Sequence, residues 1–177
     1  VGTETRESKN EVYRKKGQAS ASDKLHPGIA TEVGEKGLIS EKLLDSLEAH
    51  SLVRAKSFDS HPHVRSLNFT SKAFFDGKWD DVNIMARGLF VADDRRIVAR
   101  SYPKFFNMGE RPETQLKTLR NSLQFPLKMW VKENGFLGIL GWDHINDDLF
   151  FASKSTPESP FAGWFREIFE ADAGARG

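Results

Sequence analysis

The strongest constraint on the fold is a series of short apolar runs, broken by turn-forming residues, between positions 83 and 153. Asn83–Val91 and Arg95–Ser101 flank Ala92-Asp93-Asp94 and read as strand, turn, strand. Pro126–Lys132 and Phe136–Trp142 flank Glu133-Asn134-Gly135. Asn-Gly between apolar runs supplies the left-handed backbone that tight hairpins need, so a second hairpin is predicted there. Asp147-Asp148 marks a further turn, before a strand over Leu149–Ser153.

Helical spacing appears in three places. Ser40 stands as an N-cap before Leu43, Leu44 and Leu47 in Ile39–His50. Glu113–Leu123 aligns Leu116, Leu119 and Leu123, with Pro112 near its start. Pro160–Ala171 puts Phe161, Trp164, Phe165 and Phe169 on one face, with Gly174–Gly177 read as a frayed tail. Leu52–Phe58 alternates as a strand, and His61-Pro62-His63 reads as a loop. The pattern predicts an α+β fold, a mostly antiparallel twisted sheet flanked by helices. Residues 1–36 are polar and weakly periodic and read as an extension, with the folded part over residues 37–177.

Composition decides a few exclusions. A hydrophobic fraction of 38% with 29% charged residues fits a folded core. The net charge of +1 provides no global field for nucleic acid, so any RNA contact must come from a local patch. Without cysteine there is no disulfide, thiol nucleophile or thiolate metal site. No apolar run is long enough to span a membrane, and Val1–Lys24 has no apolar centre to act as a signal peptide, so an intracellular location is expected. His61 and His63 are split by Pro62 and adjoin no carboxylate cluster, so no metal ligand is assigned.

Three features carry candidate chemistry. Lys132 ends an apolar run just before a tight turn. It reads either as a surface lysine at a hairpin or as a placed nucleophile, which desolvation or nearby cations would activate. Arg87 lies within Ile84-Met85-Ala86-Arg87-Gly88-Leu89-Phe90. Such an Arg needs a partner, which Glu110 or Asp94 could supply internally and a phosphate could supply from outside. In Phe105-Phe106-Asn107 one ring can face the core while the other faces a pocket, or both can be core.

Four segments, in order, resemble the covalent nucleotidyltransferase superfamily, and most closely the ATP-dependent RNA ligases of the phage T4 and fungal tRNA ligase type. They are Ala86-Arg87-Gly88-Leu89-Phe90, the stretch Arg96–Asn107 containing Lys104-Phe105-Phe106-Asn107, Lys132-Glu133-Asn134-Gly135, and Ala152-Ser153-Lys154-Ser155-Thr156. The resemblance covers about residues 50–165 and implies a nucleotidyltransferase ligase fold, unrelated to the ATP-grasp fold. It implies that Lys132 attacks ATP and holds AMP, which passes to an RNA 5′-phosphate before a 3′-OH seals the strand. Arg87 and Lys104 would contact phosphates. Glu133, Asn134 and Gly135 would shape the nucleotide pocket, Phe105 or Phe106 would wall it, and Lys154 would add a phosphate contact. Mg²⁺ would bridge phosphates. The partners implied are RNA ends, such as tRNA exon halves, and further domains of a longer protein.

The chain departs from the pattern after the nucleophile. It ends 45 residues beyond Lys132, with no Lys-x-Lys pair, and Glu167 and Glu170 fall in the last helix rather than on a catalytic strand. The expectation is therefore an adenylyltransferase domain truncated after the nucleophile motif, whose activity on its own is weak or absent. Two other readings stand beside it. One is a non-catalytic RNA-binding or scaffolding fragment of the same fold, and the other a DNA ligase or capping-type enzyme.

Overall fold

A computed structural model describes residues 37–129 and 131–176. The 1–36 extension lies outside the described residues. The chain builds a four-stranded antiparallel sheet from β1 (Val53–Ser57), β2 (Val64–Phe69), β3 (Leu89–Ala92) and β4 (Ile97–Arg100), paired in that order. A separate two-stranded sheet joins β5 (Ile139–Asp143) to β6 (Asp148–Ala152).

The two faces of the large sheet are covered differently. Helix α1 (Glu41–Ala49) lies on one face, its Leu44 and Leu47 packed with Ile39, Leu67, Leu89 and Val91. Ser40 caps it as expected, its Oγ accepting from the Leu43 N–H at 3.3 Å. The β5–β6 hairpin covers the other face, where Phe90, Ala92, Val64 and Val98 meet Ile139, Phe150 and Ala152. Alternation along β3 therefore sends Leu89 and Val91 one way and Phe90 and Ala92 the other. The last helix, α4 (Pro160–Arg176), lays Phe165 and Phe169 edge-on against Phe151 of β6, at 5.6 and 5.5 Å.

The hairpin approaches the large sheet closely because position 141 is glycine. A Cβ there would stand 2.0 Å from the Val98 carbonyl oxygen and 2.6 Å from the Ala99 Cβ. A second anchor is Asp143, only 1% exposed. Its carboxylate accepts from His63 Nε2 at 2.8 Å, from the Ile145 N–H at 3.1 Å and from Asn146 Nδ2 at 3.0 Å. Burial alone would raise this carboxyl. The hydrogen bonds from the Asn146 and Ile145 N–H groups and from His63 outweigh burial and hold it below its usual range.

Several expectations need correction. The first strand of the 83–101 hairpin is shorter than expected. Asn83–Met85 is a 3₁₀ turn, because Asp80 Oδ1 accepts from the Val82 and Asn83 N–H groups at 2.9 and 2.8 Å, and strand pairing begins only at Leu89. The hairpin expected around Asn134-Gly135 is absent. The described residues of 126–132 form no strand, and β5 pairs forward with β6 instead. The helix expected over 113–123 is a 3₁₀ turn, Pro112–Thr114, followed by α3 (Leu116–Ser122), which buries no residue. The last helix runs on through the expected tail to Arg176. Strand β2 and the short helix α2 (Ser71–Phe75) were not anticipated. Among the described residues no helix is long and apolar enough to cross a membrane.

Gly141→Ala should lower stability by about 1–3 kcal/mol, the usual cost of overpacking, in urea denaturation. Gly163→Ala should not, because nothing lies within 4 Å of its Cβ direction and alanine favours a helix. Asp143→Asn should cost about 1–3 kcal/mol at neutral pH. A carboxyl whose folded pKa is lowered adds stability above its unfolded pKa of about 4 and loses it as pH falls through the folded value. Stability measured from pH 7 down to pH 3 should therefore fall less steeply in the variant than in the parent.

Candidate functional site

Just before β3 the chain turns sharply. Gly88 adopts φ +56°, and its N–H donates to Asn68 Oδ1 of β2 at 2.8 Å. A Cβ at Gly88 would collide with Ile139 Cδ1 at 2.8 Å and stand 3.1 Å from the Lys154 carbonyl oxygen. Glycine here thus lets the segment after β6 pass directly beside the start of β3, which brings Lys154 next to Arg87.

Both residues line a cavity of about 450 Å³ together with Lys104, Phe105 and Asn107. The rest of its lining comes from the end of β2 and from α2, namely Phe69, Ser71, Phe74 and Phe75. The volume lies within the range of small-molecule sites.

The three cations are held in different ways. Arg87 Nη1 donates to Ser101 Oγ at 3.1 Å and to the Tyr102 carbonyl at 3.0 Å, and its guanidinium stands 5.3 Å from the Phe105 ring. Burial lowers its pKa, although an arginine remains charged throughout the physiological range. Lys104 is already compensated. Its Nζ lies 3.5 Å from Glu110 and 4.0 Å from the centre of the Phe106 ring. Glu110 in turn accepts from the Asn107 N–H at 2.8 Å, and that bond, ahead of the Lys104 charge, holds its carboxyl below the usual range. Lys154 sets its ammonium 4.5 Å over the Phe69 ring. Its pKa is lowered first by burial and then by the charge of Arg87.

Among the described residues neither Arg87 nor Lys154 has a carboxylate partner. Glu110 is engaged by Lys104, while Asp94 is engaged by His144 at 2.9 Å and by Arg96 at 3.4 Å. The internal partners open to Arg87 on sequence grounds do not reach it. Two like charges in one cavity repel each other, and an anion between them removes that repulsion.

The structure brings together Arg87, Lys104, Phe105 and Lys154 of the residues singled out by sequence. It turns Phe106 away from the cavity, with its ring 5.9 Å from Trp79. It does not bring in Lys132, Glu133, Asn134 or Gly135, which are exposed in a stretch without helix or strand. Sequence reasoning missed Ser71, Phe74 and Phe75. The available signal was the adjacent Phe pair between a capping Thr70 and the Gly77 turn. Among the described residues no group of three or more His, Asp or Glu side chains is arranged to hold a metal ion.

A family model described as RNA ligase matches residues 85–175, just over half of the chain. A tRNA ligase of Candida albicans is 44% identical over 73 residues, which cover 41% of this chain and 9% of that protein. Over 55 residues, 28% of this chain and 7% of the relative, tRNA ligase 1 of Schizosaccharomyces pombe is 46% identical. The matched stretch thus spans less than a tenth of the length of either relative. No solved structure matches significantly.

Substituting Arg87 by Gln should raise the Lys154 pKa, because it removes the like charge. The rise should be partial, since burial is the larger cause and remains. A ¹³C-lysine NMR pH titration, with a Lys154→Arg variant to assign the resonance, measures it.

Proposed function

The chain belongs to the RNA ligase family, and from that premise we propose that residues 37–177 are the N-terminal part of an ATP-dependent adenylyltransferase domain, with residues 1–36 as an extension. The observation that carries the reading is the cavity in which Arg87 and Lys154 stand together without carboxylates. A guanidinium and an ammonium converging on a space lined by aromatic rings suit a phosphate attached to a base.

In this reading the Lys132 amine attacks the α-phosphorus of ATP. A P–N bond forms, the bond to the bridging oxygen breaks, and pyrophosphate leaves with its electrons while the amine gives up a proton. AMP then passes to an RNA 5′-phosphate, and a 3′-OH displaces it to seal the strand. Arg87 and Lys104 stabilise charge on the transferred phosphoryl group, Lys154 holds a neighbouring phosphate, and Phe105 walls the nucleotide. Glu133, Asn134 and Gly135 complete the pocket when the 132–135 stretch folds against it, while Phe106 backs it from the Trp79 side. Mg²⁺ is the metal the family implies. Among the described residues no group of three or more His, Asp or Glu side chains is arranged to hold it; phosphate oxygens and water would supply most of its ligands, and no step is routed through it. The tRNA ligases among the relatives favour tRNA exon halves as the RNA, with splicing or repair in an intracellular compartment as the setting.

A second reading, a non-catalytic RNA-binding or scaffolding module, is favoured by one specific observation, namely that Lys132 is exposed and outside the cavity lining.

Intact-protein mass after incubation with ATP and Mg²⁺ separates the two. A gain of one AMP, roughly 329 Da, in the parent but not in Lys132→Ala is the expected result for covalent catalysis. Arg87→Ala should slow that gain by about a hundredfold, as removal of one transition-state donor does. Absence of any adduct in the parent would leave an inactive ligase segment or a binding module, and the same measurement on the full-length protein separates these.

A further inference from the structure

The phosphate-binding reading leaves one wall of the cavity without a role. Helix α2 ends on two adjacent phenylalanines, Phe74 and Phe75, which are 54% and 82% exposed. These rings serve no core. The helix is anchored instead by Ala73, which is fully buried, and by Thr70 Oγ1, which accepts from the Ala73 N–H at 3.2 Å. Lys72 and Asp76 close its outer side at 2.8 Å.

The rings are nevertheless held in place. Phe74 packs edge-on to Trp79, with centroids 6.5 Å apart, and Phe75 packs edge-on to Phe74 at 5.5 Å. Trp79 is itself fixed by Phe69 at 4.9 Å and by Phe106 at 5.9 Å. The phenylalanine pair is thus the outer end of a continuous aromatic chain. It opens into the same cavity as Arg87 and Lys154.

We propose that Phe74 and Phe75 form a stacking platform for an unpaired RNA nucleobase whose phosphate lies between Arg87 and Lys154. The inference rests on the anion-site reading above and adds the base to it. Charge complementarity selects a nucleic acid, because Arg87 and Lys154, two of the three cations lining the cavity, have no carboxylate partner among the described residues. Exposed ring faces select an unpaired base, because a base inside a duplex has its faces covered by its neighbours. Stacking is tolerant of base identity, since every base has a π-face, so the platform distinguishes single-stranded from paired ends rather than one sequence from another. Helix α2 lies outside the stretch that the RNA ligase family model matches.

The test uses the full chain and a 5′-phosphorylated single-stranded RNA pentamer, alongside the same oligomer with an abasic first nucleotide. Affinities are read by fluorescence anisotropy for the parent, Phe75→Ala, Phe75→Leu and Arg87→Ala. At 82% exposure Phe75 can be replaced without disturbing the core. Phe75→Ala should weaken binding of the pentamer by about tenfold, within the range measured for stacking on aromatic side chains. It should leave the abasic oligomer unchanged. Phe75→Leu should behave like alanine, because leucine restores apolar area without a ring face. Equal weakening of both oligomers, recovery by leucine, or a loss confined to ATP affinity would each overturn the platform. Arg87→Ala should weaken both oligomers. If it does so while Phe75→Ala has no base-dependent effect, the stacking inference fails alone. If Arg87→Ala changes nothing, or the parent binds neither oligomer, the anion site fails with it.

Discussion

The two core layers of the described chain meet at a strand that is buried on both faces. All four residues of β3 are inaccessible to solvent. Complete burial of Leu89, Phe90 and Val91 stabilises by about 1.5–3 kcal/mol for each side chain. That gain requires two separate layers, α1 on one side and the β5–β6 hairpin on the other. The cavity inherits its rigidity from the same strand. Arg87 and Gly88 immediately precede it, and the hydrogen bond from the Gly88 N–H to Asn68 ties that corner to β2. Displayed at the end of a fully packed strand and held by Ser101 Oγ and the Tyr102 carbonyl, Arg87 keeps its position without a carboxylate. A surface loop would let it swing out to solvent.

The local electrostatics divide the basic residues by what they already hold. Arg65 is paired with Glu48 at 2.6 Å, Lys72 with Asp76 at 2.8 Å and Lys104 with Glu110 at 3.5 Å. Arg87 and Lys154 are the basic pair left facing each other, with the lysine desolvated and repelled. A near-neutral chain can therefore still present a concentrated positive site, since the acidic residues that balance its charge neutralise other basic groups elsewhere.

Elements set by local signals were legible in the sequence. Ser40 capped α1 where expected, the turn at Asp93-Asp94 joined β3 to β4, and the turn before Asp148 opened β6. Elements decided by tertiary contacts were not. The apolar run at 84–86 looks like a strand, but Asp80 captures the N–H groups beside it and bends it into a buried 3₁₀ turn. Strand β2 mixes Arg65, Ser66 and Asn68 with apolar residues. Its pattern becomes intelligible only once Ser66 is seen to donate to the Ser155 carbonyl and Asn68 to accept from Gly88. Arg87, Lys104 and Lys154 were legible as candidates. The resemblance also implied one anion-sized pocket for them together with Lys132, which the lining omits; the packing that forms the cavity was not legible, because it depends on Gly88 admitting the chain after β6.

The stretch around Lys132 shows the same limit from the other direction. It has the composition of a hairpin, yet Phe125, Met129, Val131 and Phe136 are 81%, 91%, 85% and 75% exposed. Composition supplies a strand's side chains but not its partner, and an unpaired strand gains no ladder hydrogen bonds to offset its ordering entropy. A lysine becomes a nucleophile through desolvation or a neighbouring cation. In this structure that environment surrounds Lys154 rather than Lys132. The nucleophile's role proposed for Lys132 therefore requires its amine to be brought to the cavity that Arg87 and Lys154 line.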